Sequence, residues 1–442
     1  MVRFKKGALC FSVCLIMFSW LRSNELGPQE ARRRWEMMNQ IRRDKFDIVL
    51  PRAMRENRID MWITVMREGN PGPLYEDFGR GYVGDWGYYI FTDRGGERIE
   101  RAALGISGYM LERGGAYDLV LPASRLADFV RERDPRRIGI NTAEHIGAAD
   151  SLTHTGYRHL VETLGEPYSG RMVSAEKLVS DFRSQRVMSE LVAFGEAGRI
   201  SHEIAERALS NEVIVPGQTR LEDAAWWIEE ELLRRGLGAS FDMPSIYITG
   251  PNGIEATSDQ RIIRRGDLIM IDWGVMLMNF ATDMKRIAYV LKEGEEAAPA
   301  GIQHAFDQGL KVRAVLRRAI RPGKTAASAL TNINRSLEEA GFAIMKEFNR
   351  PTDSPLTEVI VGSHSVGNWG HGIGPSIAFF NPERLTYELR PGNLLAVEFF
   401  AYTAAPEWGG KKVRIPLEDD GVVTTDGIQW LYPVNQKILL IR

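Results

Sequence analysis

Gly266-Asp267-Leu268-Ile269-Met270-Ile271-Asp272 and Gly392-Asn393-Leu394-Leu395-Ala396-Val397-Glu398 follow one pattern: a glycine turn, a polar residue, four apolar residues and a carboxylate. Four apolar residues in a row read as a strand buried on both faces. An ionised carboxylate ending such a strand is very costly unless a cation meets it. Upstream of each copy, a Pro-Gly turn delivers a threonine able to cap a helix: Pro216-Gly217-Gln218-Thr219 before the amphipathic segment 221–235, and Pro322-Gly323-Lys324-Thr325 before 326–340. Two matches in the same order indicate a duplicated unit. The copies are unequally spaced, so insertions separate them. A pseudo-twofold relating the halves would place Asp272 and Glu398 at equivalent positions facing one cleft.

Each half adds a second carboxylate. Asp283 follows Asp272 across the short connection Gly274 to Ala281, before the strand-like run Ile287 to Leu291. A hairpin there sets the two aspartates side by side. Glu418 comes after the strand-like Lys412 to Leu417, again a short way beyond its partner Glu398. Singly, each acid has an ordinary reading as a turn or cap residue, and Glu418-Asp419-Asp420-Gly421 reads as a solvated acidic turn. Order, spacing and the echo between halves give the set its weight. Four converging carboxylates repel one another unless positive charge sits among them, and two divalent cations balance that charge. With one imidazole, such ligation suits Mn²⁺ and tolerates Zn²⁺, Co²⁺ or Fe²⁺. Metals roughly 3.5–4 Å apart can share a water, lower its pKa and polarise a carbonyl, which is hydrolytic chemistry without a protein nucleophile.

The 442-residue chain, 44% hydrophobic and 26% charged, is long enough for two packed domains and unbiased toward disorder. A net charge of -2 and the lack of an aromatic-interleaved basic stripe argue against a nucleic-acid partner. Arg3, Lys5 and Lys6 precede an uncharged apolar run from Gly7 to Leu21. That run is shorter than the roughly 20 apolar residues that span a bilayer. Residues 1–24 therefore read as a secretion signal, giving a secreted or periplasmic protein. No small-x-small cleavage site stands near Ser19 to Asn24, so an uncleaved N-terminal anchor is the alternative. Cys10 and Cys14 both lie in this segment, and a processed chain has no thiol.

Residues 25–175 mix a helical pattern, Trp35 to Met54, with strand-like runs at 61–66, 87–91, 99–104 and 137–140, the signature of an α/β domain with a mixed sheet. His145, His154 and His159 have irregular spacing there and read as surface or packing histidines. A long helical stretch from Glu176 to Leu209 leads into the second domain, 176–442.

Taken in order, the Gly266–Gly274 stretch, Thr282-Asp283, His364 to Gly374, Val397-Glu398 and Leu417-Glu418-Asp419 resemble the metal-site motifs of the M24 pita-bread metallopeptidases, the group of methionine aminopeptidase, prolidase and aminopeptidase P. The resemblance covers roughly residues 176–442. The domain before it looks like the creatinase-type N-terminal domain of the Xaa-Pro aminopeptidase and prolidase branch. It implies an α/β domain followed by an α+β pita-bread domain with an internal pseudo-twofold, and a dinuclear exopeptidase acting on peptides with proline at the second position. It also implies a homodimer. By the same resemblance Asp272 chelates one metal, Asp283 and Glu418 bridge both, and His364 with Glu398 completes the second. Glu398 is implied as the proton shuttle, with His371 and Arg414 orienting the substrate. His371, within Gly370-His371-Gly372-Ile373-Gly374, matches a second register of the histidine motif. That register leaves Ala378 where a further histidine is needed, so His364 is the preferred ligand. Where the family places a histidine before the first aspartate strand, for substrate binding and proton transfer, this chain has Glu255, which the resemblance implies as a substrate-binding residue. Two other uses of the fold are a binding module without catalysis and metal-free C–N hydrolysis as in creatinase. Retention of all five ligand positions weighs against both, since fold alone does not decide function.

Overall fold

The computed structural model describes residues 28–368 and 371–442. The segment read as a secretion signal, with Cys10 and Cys14, lies outside the described residues. Among the described residues, no helix is long and apolar enough to cross a membrane.

Strands β1 (Met61–Met66), β2 (Tyr82–Asp93), β3 (Ile99–Ser107), β4 (Leu119–Leu121), β5 (Ile138–Ile140) and β6 (Met172–Ser174) form a mixed sheet in the order β4-β3-β2-β1-β5-β6. β1 runs antiparallel to β2 and parallel to β5. Alternate side chains of these strands enter two different cores, as the two-residue period of a strand requires. Trp62, Tyr89 and Phe91 meet Phe46, Phe78 and Phe182 on one face, while Ile63, Tyr88 and Ile90 meet Phe129 and Leu160 on the other. The helical pattern expected at Trp35 to Met54 is met by helices Pro28–Asp44 and Leu50–Glu56 joined through a π-helical turn, Lys45–Val49. His159 stacks on Trp86 with ring centroids 3.9 Å apart, and His145 and His154 are exposed.

The single helix expected from Glu176 to Leu209 is instead two, Glu176–Ser184 and Met188–Ala208. Leu178, Val179 and Phe182 of the first pack into the N-terminal core, whereas Ile200, Ile204 and Ala205 of the second pack into the C-terminal one. The intervening chain turns extended at Gln185, and Arg186 N donates to Gly392 O at 2.9 Å. The break thus lays the linker against the turn that opens the second acidic strand.

In the C-terminal half come β7 (Gly238–Ala239), β8 (Ser245–Gly250), β9 (Gly253–Glu255), β10 (Leu268–Trp273), β11 (Val275–Leu277), β12 (Phe280–Ala281) and β13 (Met284–Val290). They are followed by β14 (Ala343–Ile344), β15 (Glu358–Val361), β16 (His364–Ser365), β17 (Leu394–Ala396), β18 (Phe399–Ala404), β19 (Lys412–Leu417), β20 (Asp420–Thr424), β21 (Gly427–Trp430) and β22 (Leu439–Ile441). Their sheets are β22-β13-β10-β8-β9, β12-β11-β7, β14-β15-β18-β19 and β16-β17-β20-β21.

The expected duplication is visible in these connections. In the first half β10 leads into β11, and β12 returns into β13; β10 pairs with β13 in one sheet and β11 with β12 in another. In the second half β17, β18, β19 and β20 repeat that course. Each hairpin therefore crosses from one sheet to another, and the acidic residues stand at or beside the crossings. The helices Leu221–Arg234 and Ala326–Glu339 are likewise related. Only the second keeps its threonine cap. Thr325 accepts from Ser328 N, whereas Asp223 holds Arg220 N at 2.8 Å and Thr219 Oγ1 turns back to Val215 N.

At the first crossing, a β-carbon on Gly274 would lie 1.8 Å from the Thr282 carbonyl oxygen, and backbone cannot rotate away. Gly274→Ala should destabilise the protein by about 1–3 kcal/mol, the usual scale of overpacking, read as a lowered denaturation midpoint. An unchanged midpoint would show that the hairpin strands are not held this closely.

Candidate metal centre

The two crossings bring the four predicted carboxylates together. Asp272 is near the end of β10, and Asp283 falls in the gap between β12 and β13. Glu398 occupies the gap between β17 and β18, and Glu418 the gap between β19 and β20. Phe399 pairs with Leu417, so Glu398 and Glu418 are neighbours across their hairpin. Lys285 N donates to Glu418 O at 3.1 Å, which stitches the first hairpin to the second. Asp283 and Glu418 are buried and Asp272 retains partial exposure.

His364 in β16 enters from the strand beside β17, opposite Ala396. Its Nδ1 lies 3.0 Å from Ser365 O, an acceptor, so that nitrogen carries the proton. Nε2 then faces Glu418 Oε1 at 3.4 Å and Asp283 Oδ2 at 3.7 Å. Orientation of an imidazole by a backbone carbonyl on its far nitrogen is what a metal-binding histidine needs. His371 is exposed, with its ring 4.7 Å from that of His364. Three sets of side chains can each converge ligand atoms within 4.8 Å: Asp272, Asp283 and Glu418; His364, Glu398 and Glu418; and Asp283, His364 and His371. Of the two histidines, His364 is the one that meets both buried acids and Glu398, and His371 joins through Asp283.

The electrostatics are those of a site built for positive charge. Burial, reinforced by Glu418 and Asp272, pushes the Asp283 carboxyl well above the usual carboxylate range. Burial pushes Glu418 the same way, but Lys285 and His364 outweigh it and hold that carboxyl below its ordinary value. For His364, burial opposes protonation while Glu418 and Glu398 favour it, and the net shift is upward. Two oxygens here, Asp283 Oδ1 and Glu418 Oε1, are buried without any hydrogen-bond partner. An unsatisfied buried polar atom costs about 1–3 kcal/mol, more when charged, and needs an explanation.

Lys285 is the residue that the sequence reading missed. The strand was expected to start at Ile287, but it starts at Met284 and pairs Lys285 with Asp272. Asp283 and Lys285 are therefore on one face of the chain, and Arg286 is on the other. Lys285 Nζ lies 3.0 Å from Asp272 Oδ2 and 2.7 Å from Glu398 Oε1, and is hydrogen-bonded to Glu418 Oε2. Burial alone would lower the pKa of this amine, but Asp272, Glu398 and Glu418 reverse the shift and carry it well above the ordinary lysine value.

A supporting layer fixes the acids. Asp419, fully buried, meets Arg286 at 2.8 Å and Arg313 at 3.4 Å. Asp420 Oδ2 accepts from Asp283 N at 3.2 Å, and Asp420 N donates to Tyr432 Oη at 2.8 Å. Thr282 shares a hydrogen bond of 2.7 Å with Ser201 on helix Met188–Ala208. Gly362 leaves room for the Glu398 carboxylate, since a β-carbon there would stand 2.7 Å from Glu398 Oε2 and displace it.

The remaining sequence candidates divide. The Arg414 guanidinium lies 4.3 Å from the Phe400 ring centroid, and Lys285 Nζ approaches the same ring at 5.8 Å. Arg414 also lines a cleft of about 640 Å³ with Thr249, Asn349 and Tyr402. Glu255 is exposed on edge strand β9, two strands away from β10, and bonds Arg261 at 2.7 Å. The β8–β9 hairpin sets this position on the edge of the sheet.

The donors fit a divalent cation where Asp283, His364 and Glu418 face one another with two unpartnered oxygens. Where the sequence leads one to expect a second cation, the Lys285 ammonium stands among Asp272, Glu398 and Glu418.

Comparison with known proteins agrees with this geometry. The sequence model of metallopeptidase family M24 matches residues 193–425. The Xaa-Pro dipeptidase of Pyrococcus furiosus is 25% identical over 312 residues, covering 68% of this chain and 77% of that protein. The X-Pro aminopeptidase of Thermotoga maritima superposes with a TM-score of 0.63 at 18% identity, covering 88% of this chain and 99% of that one. An Xaa-Pro dipeptidase from Bacillus anthracis gives 0.58 at 19% identity, with 91% and 99% covered. At these identities, the two structural likenesses establish the fold.

Removing Arg286 should leave Asp419 as a poorly compensated buried charge. Arg286→Met should therefore cost about 3–5 kcal/mol in denaturant unfolding, the scale for breaking a buried pair. Adding Asp419→Asn should recover much of that loss. Equal stability of Arg286→Met and wild type would contradict the network.

Proposed function

The chain belongs to metallopeptidase family M24, and from that premise we propose that it is a metal-dependent exopeptidase hydrolysing Xaa-Pro bonds, either removing an N-terminal residue before proline or splitting Xaa-Pro dipeptides. The observation that carries this reading is the convergence of Asp272, Asp283, His364, Glu398 and Glu418 around buried, unpartnered oxygens. Its substrate class is supported by the similar Xaa-Pro peptidases and by an N-terminal domain preceding the family-matched region.

Asp283, His364 and Glu418 would hold the metal, with Mn²⁺ suited to this carboxylate-rich donor set. When bound, it supplies Lewis acidity toward the scissile carbonyl and toward the attacking water. Glu398, partly buried beside the cluster, would take the proton from that water and pass it to the leaving amine. His371 would orient the carbonyl from the open side. Arg414, on the cleft wall, would pair with a substrate carboxylate, a charge-assisted contact that a guanidinium makes in bidentate fashion. Glu255 has no part in this assignment.

Lys285 favours a second reading, a binding module without turnover, because its ammonium engages Glu398 at 2.7 Å. The two readings separate in one assay. Purified protein should hydrolyse Xaa-Pro substrates, lose activity to a chelator and regain it with Mn²⁺, and Glu398→Gln should lower kcat by about 10²–10⁴-fold, the range of general acid–base catalysis. Bound metal with no hydrolysis would support the binding module, and turnover indifferent to chelator would point to metal-free chemistry.

A further inference from the structure

A lysine ammonium has three N–H donors and no acceptor. Lys285 Nζ directs its donors at three carboxylates: Asp272 Oδ2 at 3.0 Å, Glu398 Oε1 at 2.7 Å and Glu418 Oε2. Its capacity is filled, and the residue is 6% exposed. On the other side of the same cluster, the pattern is reversed. Glu418 Oε1 and Asp283 Oδ1 are buried and have no partner, and His364 Nε2 lies 3.4 Å from Glu418 Oε1 and 3.7 Å from the other Asp283 oxygen, Oδ2. Glu418 thus has one oxygen satisfied by an ammonium and one left vacant beside an imidazole.

We propose that Lys285 stands permanently in one of two cation positions, so that the centre takes a single divalent ion, held by the Asp283 carboxylate, Glu418 Oε1 and His364 Nε2. Glu418 bridges the ion and the ammonium. This deepens the metal-dependent reading given above and rests on it. Asp272 and Glu398 serve as acceptors for the lysine, so a second ion would have to compete with the ammonium for both carboxylates. The backbone holds the lysine in position as well. Lys285 is paired with Asp272 in the β10–β13 ladder, and its N–H is given to Glu418 O at 3.1 Å.

The test is metal stoichiometry of the full chain, measured by equilibrium dialysis against Mn²⁺ with elemental analysis and by the electron paramagnetic resonance of the bound ion. Wild type should bind one equivalent with the spectrum of an isolated Mn²⁺. Lys285→Ala should bind two equivalents, with the broadened spectrum of a coupled pair, and Lys285→Arg should stay at one. Two equivalents in wild type would overturn the inference while leaving the peptidase reading intact. No Mn²⁺ bound by wild type would overturn both. Should Lys285→Ala fail to fold, the wild-type stoichiometry and spectrum still decide the matter. A folded Lys285→Ala that remains at one equivalent would also refute the assignment, since the lysine would then not be what excludes the second ion.

Discussion

Four carboxylates crowded together, two of them fully buried, repel one another more strongly than any packing around them can offset, unless cations sit among them. That constraint organises the C-terminal half of this protein. Asp272 and Asp283 come from one hairpin, Glu398 and Glu418 from another, and each hairpin changes sheets where its acids stand. A strand changing sheets loses its regular ladder for a residue or two, and a side chain at that point can face inward from a deeply buried backbone. The two crossings meet through a backbone bond from Lys285 to Glu418. The acids are consequently positioned by main-chain geometry, with little left to side-chain freedom.

Positive charge enters at two levels. Arg286 and Arg313 neutralise Asp419 just behind the cluster, on the opposite face of β13 from Lys285. Lys285 projects into the cluster itself. Adjacent residues of one strand thus serve separate acidic partners, a consequence of the alternation of side chains along a strand. The arrangement leaves the imidazole of His364 and two orphaned oxygens as the part still wanting a cation. Glycines permit the close approach: Gly274 against the Thr282 carbonyl, and Gly362 against the Glu398 carboxylate.

Much of this was legible before any coordinates. The paired motifs at Gly266–Asp272 and Gly392–Glu398 announced the duplication because strands buried on both faces leave a strong apolar signature, and a carboxylate closing such a run is conspicuous. The mixed N-terminal sheet was readable for the same reason. Three features were not. Lys285 was overlooked because the strand-like run was read from Ile287 onward, whereas the strand begins at Met284 and its two charged residues have buried partners on both faces. The place of Glu255 on the sheet edge was not visible because sequence distance does not register the β8–β9 hairpin. The break at Gln185–Val187 lies between two helical patterns that share a period and differ in the core they serve, a distinction that no local pattern contains.

Anomalous diffraction at the manganese edge, from crystals of the full chain grown with Mn²⁺, tests the central claim most directly. The account predicts one anomalous peak within coordination distance of Asp283, His364 and Glu418, with the Lys285 ammonium still bonded to Asp272 and Glu398. No peak at that position, or an acidic cluster opened to solvent with its four carboxylates apart, would contradict it.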